Sequence, residues 1–166
     1  MGTNSEIATL FLNYSTQKLD QMAKHIQDCM GKLNTEQIWQ RHAAPENAIG
    51  NLILHLCGNM RQWIMHGVGG APDIRTRDAE FYTTDSLSPE QLIRLLQSTF
   101  QEASLVISTV PHERLTERTH PQNHDVSVLD AIYLVVGHVQ QHTGQIILLT
   151  KQMLGHDLDL TIPRPR

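Results

Sequence analysis

Hydrophobic residues recur at helical spacing along four stretches of the chain, and polar or glycine-rich segments separate these stretches. The first stretch runs from about residue 5 to residue 33, and the second from about residue 47 to residue 66. Because apolar residues three or four positions apart lie on one face of an α-helix, both stretches predict long amphipathic helices. The second stretch ends at a cluster of glycines and a proline, which cannot continue a helix.

The third predicted helix has the clearest start. Ser88 is a suitable N-cap, Pro89 occupies the first helical position, and Gln91 completes a capping box. The apolar pattern of this helix continues to about residue 110, where a proline follows. We expect residues 67–87, which precede the helix, to form a long loop.

The fourth predicted helix begins after Asp125 or Ser127, either of which can cap it, and ends near Leu154 with Gly155 as its C-cap. A polar loop precedes it, and strand signals are nearly absent. Four long amphipathic helices in one small protein predict an all-α fold, a four-helix bundle formed as a single domain over residues 1–166.

Composition narrows the classes of function. The formal net charge is −4 and the 13 lysines and arginines form no block, which argues against nucleic acid or an anionic membrane surface as a partner. No apolar run approaches the roughly 20 residues that a membrane-spanning helix needs. The two cysteines make no disulfide framework and the N-terminus lacks the pattern of a secretory signal, so we expect a cytoplasmic protein.

The chain has ten histidines, and two of them lie four residues apart on the fourth predicted helix. His138 and His142 therefore share one helical face, where both imidazoles can reach one ion. The residues above and below them on that face are mainly apolar, so we expect the pair in the bundle core. The second helix places His55 on a comparable inward face, beside the amides of Asn59 and Gln62.

Two interpretations of these histidines follow from their spacing. In one, three neutral imidazoles hold a divalent ion such as Zn²⁺, Ni²⁺ or Fe²⁺ and leave a coordination position open, as catalytic sites do. In the other, the protein is a plain bundle whose core histidines bond to each other or to the amides of Asn59, Gln62 and Gln145. A buried imidazole without a partner costs about 2 kcal/mol or more, and either arrangement removes this penalty.

Two motifs resemble those of the DinB/YfiT-like metalloproteins. Residues 47–64 (NAIGNLILHLCGNMRQWI) are similar to the second-helix motif of that family, and residues 136–146 (VGHVQQHTGQI) are similar to its fourth-helix motif. Residues 33–39 match the leucine-to-tryptophan stretch that often follows the first helix of the family. The resemblance spans most of the chain and implies a bundle of up-down-down-up topology. The metal-binding histidines of the family fall on His55, His138 and His142.

The resemblance also implies one divalent ion per chain, zinc or nickel in most relatives, and often a homodimer. Some characterised relatives transfer low-molecular-weight thiols such as bacillithiol or mycothiol, whereas others isomerise small acids or have no known activity. We therefore expect a metal-dependent enzyme acting on a small molecule, with thiol S-transfer as the leading class. The alternative is a non-catalytic metal- or ligand-binding bundle. The candidate substrate-binding residues are Asn59, Gln62 and Gln145.

The second and fourth predicted helices each carry an additional apolar stripe opposite their histidines. These stripes consist of Ile53, Met60 and Ile64 in the second helix and of Leu129, Ile132, Val136 and Ile147 in the fourth. A helix that is apolar on two sides is either central in a larger core or paired with another chain. We expect a homodimer that pairs through these two helices.

The long loop before the third helix carries a charged run that comprises Arg75, Arg77, Asp78 and Glu80. Such a run is usually solvated, and the alternative is a lid over the metal cleft. No carboxylate lies on the predicted metal-facing stripes, so the sequence identifies no general base. Cys57 falls on the back of the second helix and is expected to be a small buried residue rather than a nucleophile.

Overall fold

The long helices follow the predicted pattern in a computed structural model that describes residues 2–41, 43, 45–84 and 87–160. The helices within these ranges are α1 (Gly2–Met30), α2 (Thr35–Trp39), α3 (Ile49–Met60), α4 (Arg77–Tyr82), α5 (Pro89–Ser108) and α6 (Val128–Leu154). A π-helical turn, Arg61–His66, continues α3 without a break. The prediction of an all-α protein is confirmed. In this described part of the chain, no helix combines the length and the apolar character that crossing a membrane requires.

Local capping determines where α5 and α6 begin. Ser88 and Gln91 form the predicted capping box, in which each side chain accepts a hydrogen bond from the backbone N–H of the other residue. Ser127 and Asp130 form the same reciprocal pair at the start of α6. Gly155 ends α6 in the left-handed conformation at φ 72°, which glycine adopts without a steric penalty. These boundaries were therefore correctly predicted from sequence.

The four long helices pack as a bundle around one apolar core. α1 packs against α5 and α6, and α3 packs against the same two helices, so α1 and α3 face each other across the core. Fully buried side chains from all four helices meet there, among them Leu19, Ile53, Leu96 and Val139. The up-down-down-up order of helix directions stays a prediction.

The additional apolar stripe of α3 belongs to the chain's own core. Ile53, Met60 and Ile64 are 0% exposed, and so is Ile132 of α6. α3 and the π-helical turn are covered by α4, α5 and α6, which explains why this segment is apolar on two sides. These side chains are therefore already buried within one chain, and the homodimer stays a prediction.

The predicted loop before α5 contains α4, which the sequence pattern did not indicate. On α3, Asn51 Nδ2 donates to the backbone oxygens of Glu80 and Thr83, at 3.0 and 2.7 Å. Arg41 Nη2 donates to the backbone oxygen of Phe81 at 2.7 Å. Six residues are too few for a helix that is stable alone, so these bonds from neighbouring elements hold α4 in place.

The second predicted loop, between α5 and α6, folds into short 3₁₀ turns and a small hairpin. Its strands β1 (Arg118–Thr119) and β2 (Val126–Ser127) are antiparallel, and Arg118 lies opposite Ser127. Strands of two residues are too short to leave an alternating pattern in the sequence, so they were not predicted.

Candidate metal centre

Three imidazoles meet between α3 and α6. His55 projects from α3, and His138 and His142 project from successive turns of α6. One ring nitrogen of each lies within 4.8 Å of the others, and the ring centroids are 4.4 to 5.1 Å apart. His55 is buried, whereas the other two rings are partly exposed. The structure thus brings together the three histidines that the sequence selected, but His138 and His142 are partly exposed rather than buried in the bundle core as expected.

The orientation of His55 is determined by a carboxylate behind it. His55 Nδ1 lies 2.9 Å from Glu80 Oε2 and His55 Nε2 lies 2.9 Å from His138 Nε2. An ionised carboxylate only accepts hydrogen bonds, so Nδ1 carries the proton and donates to Glu80. Arg75 Nη2 lies 3.2 Å from the same Nδ1 but has the shorter contact, 2.8 Å, with Glu80 Oε2, to which it donates. The lone pair of His55 is therefore on Nε2, the nitrogen that faces the other two rings.

His142 is oriented in the same way by an amide. Its Nδ1 lies 2.6 Å from Gln145 Oε1, an oxygen that accepts, so this Nδ1 also carries the proton. The lone pair of His142 is then on Nε2. Glu80 and Gln145 thus each leave one imidazole nitrogen unprotonated and available to an ion, which is the usual arrangement of metal-binding histidines.

Glu80 is itself held by Arg75 in a buried, bidentate ion pair. Arg75 Nε and Nη2 donate to the two carboxylate oxygens at 2.7 and 2.8 Å, and both side chains are at least nine-tenths buried. The pair fits against α3 because residue 58 is glycine, where a Cβ atom would collide with Glu80 Oε1. The prediction of a solvated charged run is therefore wrong for Arg75 and Glu80, while Arg77 and Asp78 are exposed.

The electrostatics keep the histidines of α6 neutral. Burial lowers the pKa of His138 to about 4, and the neighbouring His142, His55 and Arg75 add to this effect. Burial also lowers the pKa of His142. Burial alone would raise the pKa of Glu80, but hydrogen bonds from Arg75 and His55 outweigh it and the net shift is downward. At neutral pH the two histidines of α6 are therefore unprotonated, the form that binds metal.

The donor set fits a divalent transition metal. Three imidazoles suit zinc, nickel or iron. In the described ranges the cluster contains no fourth ligand from histidine, cysteine, aspartate or glutamate, because Glu80 binds the far nitrogen of His55. Three protein ligands leave a coordination position open, which is characteristic of catalytic sites rather than closed structural ones.

The three amides selected from the sequence lie in different surroundings. Asn59 is 6% exposed on the turn after His55, and its buried Oδ1 has no hydrogen-bond partner in the described part of the chain. Gln62 turns toward the loop before α4, where Nε2 donates to Asp73 Oδ2 and Oε1 accepts from Arg75 Nη1. Gln145 contacts His142, as described above. Asn59 therefore keeps an unused acceptor near the histidines, whereas the amide of Gln62 is engaged elsewhere.

The structure places three further residues beside His55, namely Arg75, Glu80 and Phe81. The sequence analysis considered Arg75 and Glu80 only as part of a solvated run or a lid over the metal cleft, and it did not select Phe81. The Phe81 ring lies 4.9 Å from the His55 ring, centroid to centroid. All three come from the segment that was predicted as a loop, 20 to 26 positions further along the chain. The one local signal was Gly58, a glycine within a helix, which marks a place where another group approaches the backbone closely.

Two further histidines and Cys57 lie outside the cluster. His120 Nε2 lies 3.3 Å from Asp125 Oδ1, and the ring centroid of His124 lies 5.7 Å from that of the buried Trp63. Both histidines are exposed. Cys57 is 2% exposed on a different face of α3, as predicted, and burial raises the pKa of its thiol to about 12. It is therefore a neutral, packed side chain rather than a nucleophile.

Comparisons with known proteins agree with this fold. A family model described as "Protein of unknown function (DUF1572)" matches residues 6–166. A search of curated protein sequences finds no match. Solved structures with similar folds include a DinB-like protein from Bacillus cereus ATCC 10987, with a TM-score of 0.67 and 16% identity over 92% of this chain and 95% of that one.

Two further solved structures are similar. A DinB-like protein from Bacillus subtilis has a TM-score of 0.67 and 14% identity, over 92% of this chain and 99% of that one. A conserved protein from Enterococcus faecalis has a TM-score of 0.62 and 13% identity, over 87% of this chain and 97% of that one. At this level of identity the comparisons establish a shared fold.

Proposed function

Since this chain belongs to the DUF1572 family and has the DinB-like fold, we propose that it is a metal-dependent enzyme acting on a small molecule. The leading reaction class is transfer of a low-molecular-weight thiol to an electrophilic substrate. The observation that carries the proposal is the cluster of His55, His138 and His142, whose donor atoms lie within 4.8 Å of one another.

The proposed cofactor is one zinc or nickel ion per chain, held by the three histidines. Bound there, a divalent ion supplies Lewis acidity, which lowers the pKa of a thiol that reaches it. Glu80 and Gln145 keep the proton on Nδ1 of His55 and His142, so that both Nε2 atoms face the ion site. Asn59, whose buried Oδ1 has no partner among the described residues, stays a candidate for binding the substrate.

In the proposed transfer, the sulfur of the thiol bonds to an electrophilic carbon while the bond from that carbon to its leaving group breaks. The leaving group keeps the bonding electron pair. The thiol proton goes to solvent, because Glu80, the carboxylate beside His55, is already occupied by Arg75 and His55. In this proposal the site residues named above position the reactants and do not act as a general base.

Metal analysis of the purified protein tests the cofactor. We expect close to one divalent ion per chain, and loss of tight binding in His138→Ala and His142→Ala, because each removes one of three ligands. His120→Ala is the matched control, since His120 lies on the surface outside the cluster. If the triple variant of His55, His138 and His142 retains metal as the parent does, the site is misassigned.

A thiol titration of the cobalt-substituted protein tests the reaction class. Adding 2-mercaptoethanol should produce a sulfur-to-cobalt charge-transfer band, because three histidines leave a coordination position open to a soft donor. The metal-loaded protein should then accelerate conjugation of at least one thiol in a panel to a chromogenic electrophile. The triple alanine variant provides the background rate. An unchanged spectrum at saturating thiol, with no acceleration, would rule out thiol transfer and favour the non-catalytic alternative.

A further inference from the structure

A cavity opens on a different face of α3, away from the three histidines. It has a volume of about 290 Å³ and lies between α3, the segment leading into α4, and α5. None of the candidate metal ligands lines it, although Arg75 and Glu80 form part of one wall. Its size is at the lower end of the range for small-molecule sites.

Most of the cavity wall is apolar. Leu54 of α3, Ile74 before α4 and Leu95 of α5 supply aliphatic side chains from three separate elements. Cys57 adds a thiol that burial keeps protonated, so it presents no charge to a guest. Such a wall favours a hydrocarbon group, because contact with it removes apolar surface from water.

The charged groups of the wall differ in whether they are paired. The guanidinium of Arg75 donates to Glu80 and Gln62, so its charge is neutralised within the chain. Arg61 also lines the cavity and is partly buried, but its guanidinium has no hydrogen bond or ion pair with any residue in the described ranges. A partly buried cation without a partner favours an anionic guest, since the guest replaces lost hydration with charge-assisted hydrogen bonds.

Asp73 limits the charge of that guest. Its carboxylate lines the cavity and accepts hydrogen bonds from Gln62 Nε2 and the backbone N–H of Arg75. These bonds lower the pKa of Asp73, so the group is ionised at neutral pH. The negative charge of Asp73 would repel a second negative charge on the guest. A guest with one terminal negative charge can place that charge against Arg61.

We propose that this cavity binds a small apolar monocarboxylate. The carboxylate accepts hydrogen bonds from Arg61, and the hydrocarbon body packs against Leu54, Ile74 and Leu95. Binding requires neither the metal nor the reaction proposed above, so this site can be tested independently of that function.

Methyl NMR of the full-length protein with hexanoate as probe tests the proposal. Saturable shifts are expected for the methyl groups of Leu54, Ile74 and Leu95, and none for Leu148, which lies exposed on α6. Hexanamide, which has the same hydrocarbon chain without the charge, should bind at least tenfold more weakly. Absence of saturable shifts, or equal affinity for hexanoate and hexanamide, would overturn the proposal.

Two variants test separately the charge of Arg61 and the free volume of the cavity. Arg61→Gln should weaken hexanoate binding about tenfold or more, while Arg94→Gln, on the exposed side of α5, should leave it unchanged. Ala79→Trp should abolish binding, because it adds an indole at an exposed position that lines the cavity. All measurements are repeated after chelation of metal, and the shifts should persist. Unchanged hexanoate affinity in Arg61→Gln, or loss of the shifts on chelation, contradicts the assignment.

Discussion

His55 lies at the end of a chain of hydrogen bonds that begins at Arg75 and passes through Glu80. Moving a carboxylate and a guanidinium into a protein interior costs several kcal/mol per ion, and good pairing is needed to offset this. The bidentate contact between Arg75 and Glu80 provides that pairing, while one carboxylate oxygen also accepts from His55. The pair therefore orients the imidazole rather than serving stability alone.

Replacing this carboxylate tests its role at the scale of one residue. Glu80→Gln should lower the affinity for metal about 10- to 100-fold, because a neutral amide orients His55 less firmly and no longer strengthens its basicity. The measurement is a competition titration against a chromogenic chelator. Asp78→Asn is the control, since Asp78 is exposed on the same helix. Equal affinities of Glu80→Gln and the parent would show that Glu80 does not support the site.

The low pKa of His138 leads to a prediction about pH. The unfolded chain binds a proton at this residue near pH 6.5, whereas the folded chain does so only near pH 4. Between these values the unfolded state holds more protons, so the free energy of unfolding of the metal-free protein should fall as pH decreases through this window. Urea unfolding at several pH values measures the effect. In His138→Gln the free energy of unfolding should depend less steeply on pH than in the parent. The same pH dependence in both proteins would contradict the prediction.

At the scale of elements, α4 connects the fold to the site, because it carries Glu80 and Phe81. Its six residues have no apolar period of their own. Asn51 Nδ2 donates to two backbone oxygens at its end, and Asn51 Oδ1 accepts from Arg41 Nη2 at 2.7 Å. One buried amide on α3 thus holds the helix that supports His55.

Removing that amide should release α4. Asn51→Ala should lower the free energy of unfolding by about 1–3 kcal/mol, since it leaves buried polar groups without partners. It should also weaken metal binding and speed hydrogen exchange of the amides at 77–83, as followed by mass spectrometry. Asn13→Ala, on the exposed side of α1, is the control. Unchanged exchange in this segment of the Asn51 variant would mean that other contacts hold α4.

At the scale of the whole molecule, the apolar surface available to a second chain differs from the predicted one. The stripe of α3 is buried, but α6 exposes Tyr133 and Leu148 at 72% and 56%. Large apolar side chains at such exposure are accessible to a partner chain. We keep the homodimer as a prediction and place it on this outer face of α6.

Light scattering at micromolar concentration should give twice the mass of one chain. The double variant Tyr133→Glu and Leu148→Glu should be monomeric, because two charges on the proposed contact face oppose its burial. Leu105→Glu on α5, where the side chain is 64% exposed, should leave the dimer intact. A monomeric parent protein would contradict the prediction.

The sequence was most informative where structure depends on neighbours along the chain. Long helices bury a repeating apolar face, and caps such as Ser88 with Gln91 satisfy the first backbone N–H groups, so both leave signals within a few residues. The two short helices leave weaker signals. α2 has a capping box at Asn34 and Gln37, but its position depends on Trp39, whose indole packs over Gly50 and donates to the backbone oxygen of Leu87 at 3.1 Å.

The same distinction applies to the candidate site. His138 and His142 share a face because they are four residues apart on one helix, and the apolar pattern around His55 indicates an inward position. The sequence by itself therefore indicated which three histidines face one another. Only the tertiary structure decided that Glu80 and Arg75 are buried beside His55. The side chains of a short helix such as α4 are positioned by the residues that hold the helix in place, here Asn51 and Arg41. Such contacts join residues far apart in the chain, so they leave no periodic pattern in the sequence.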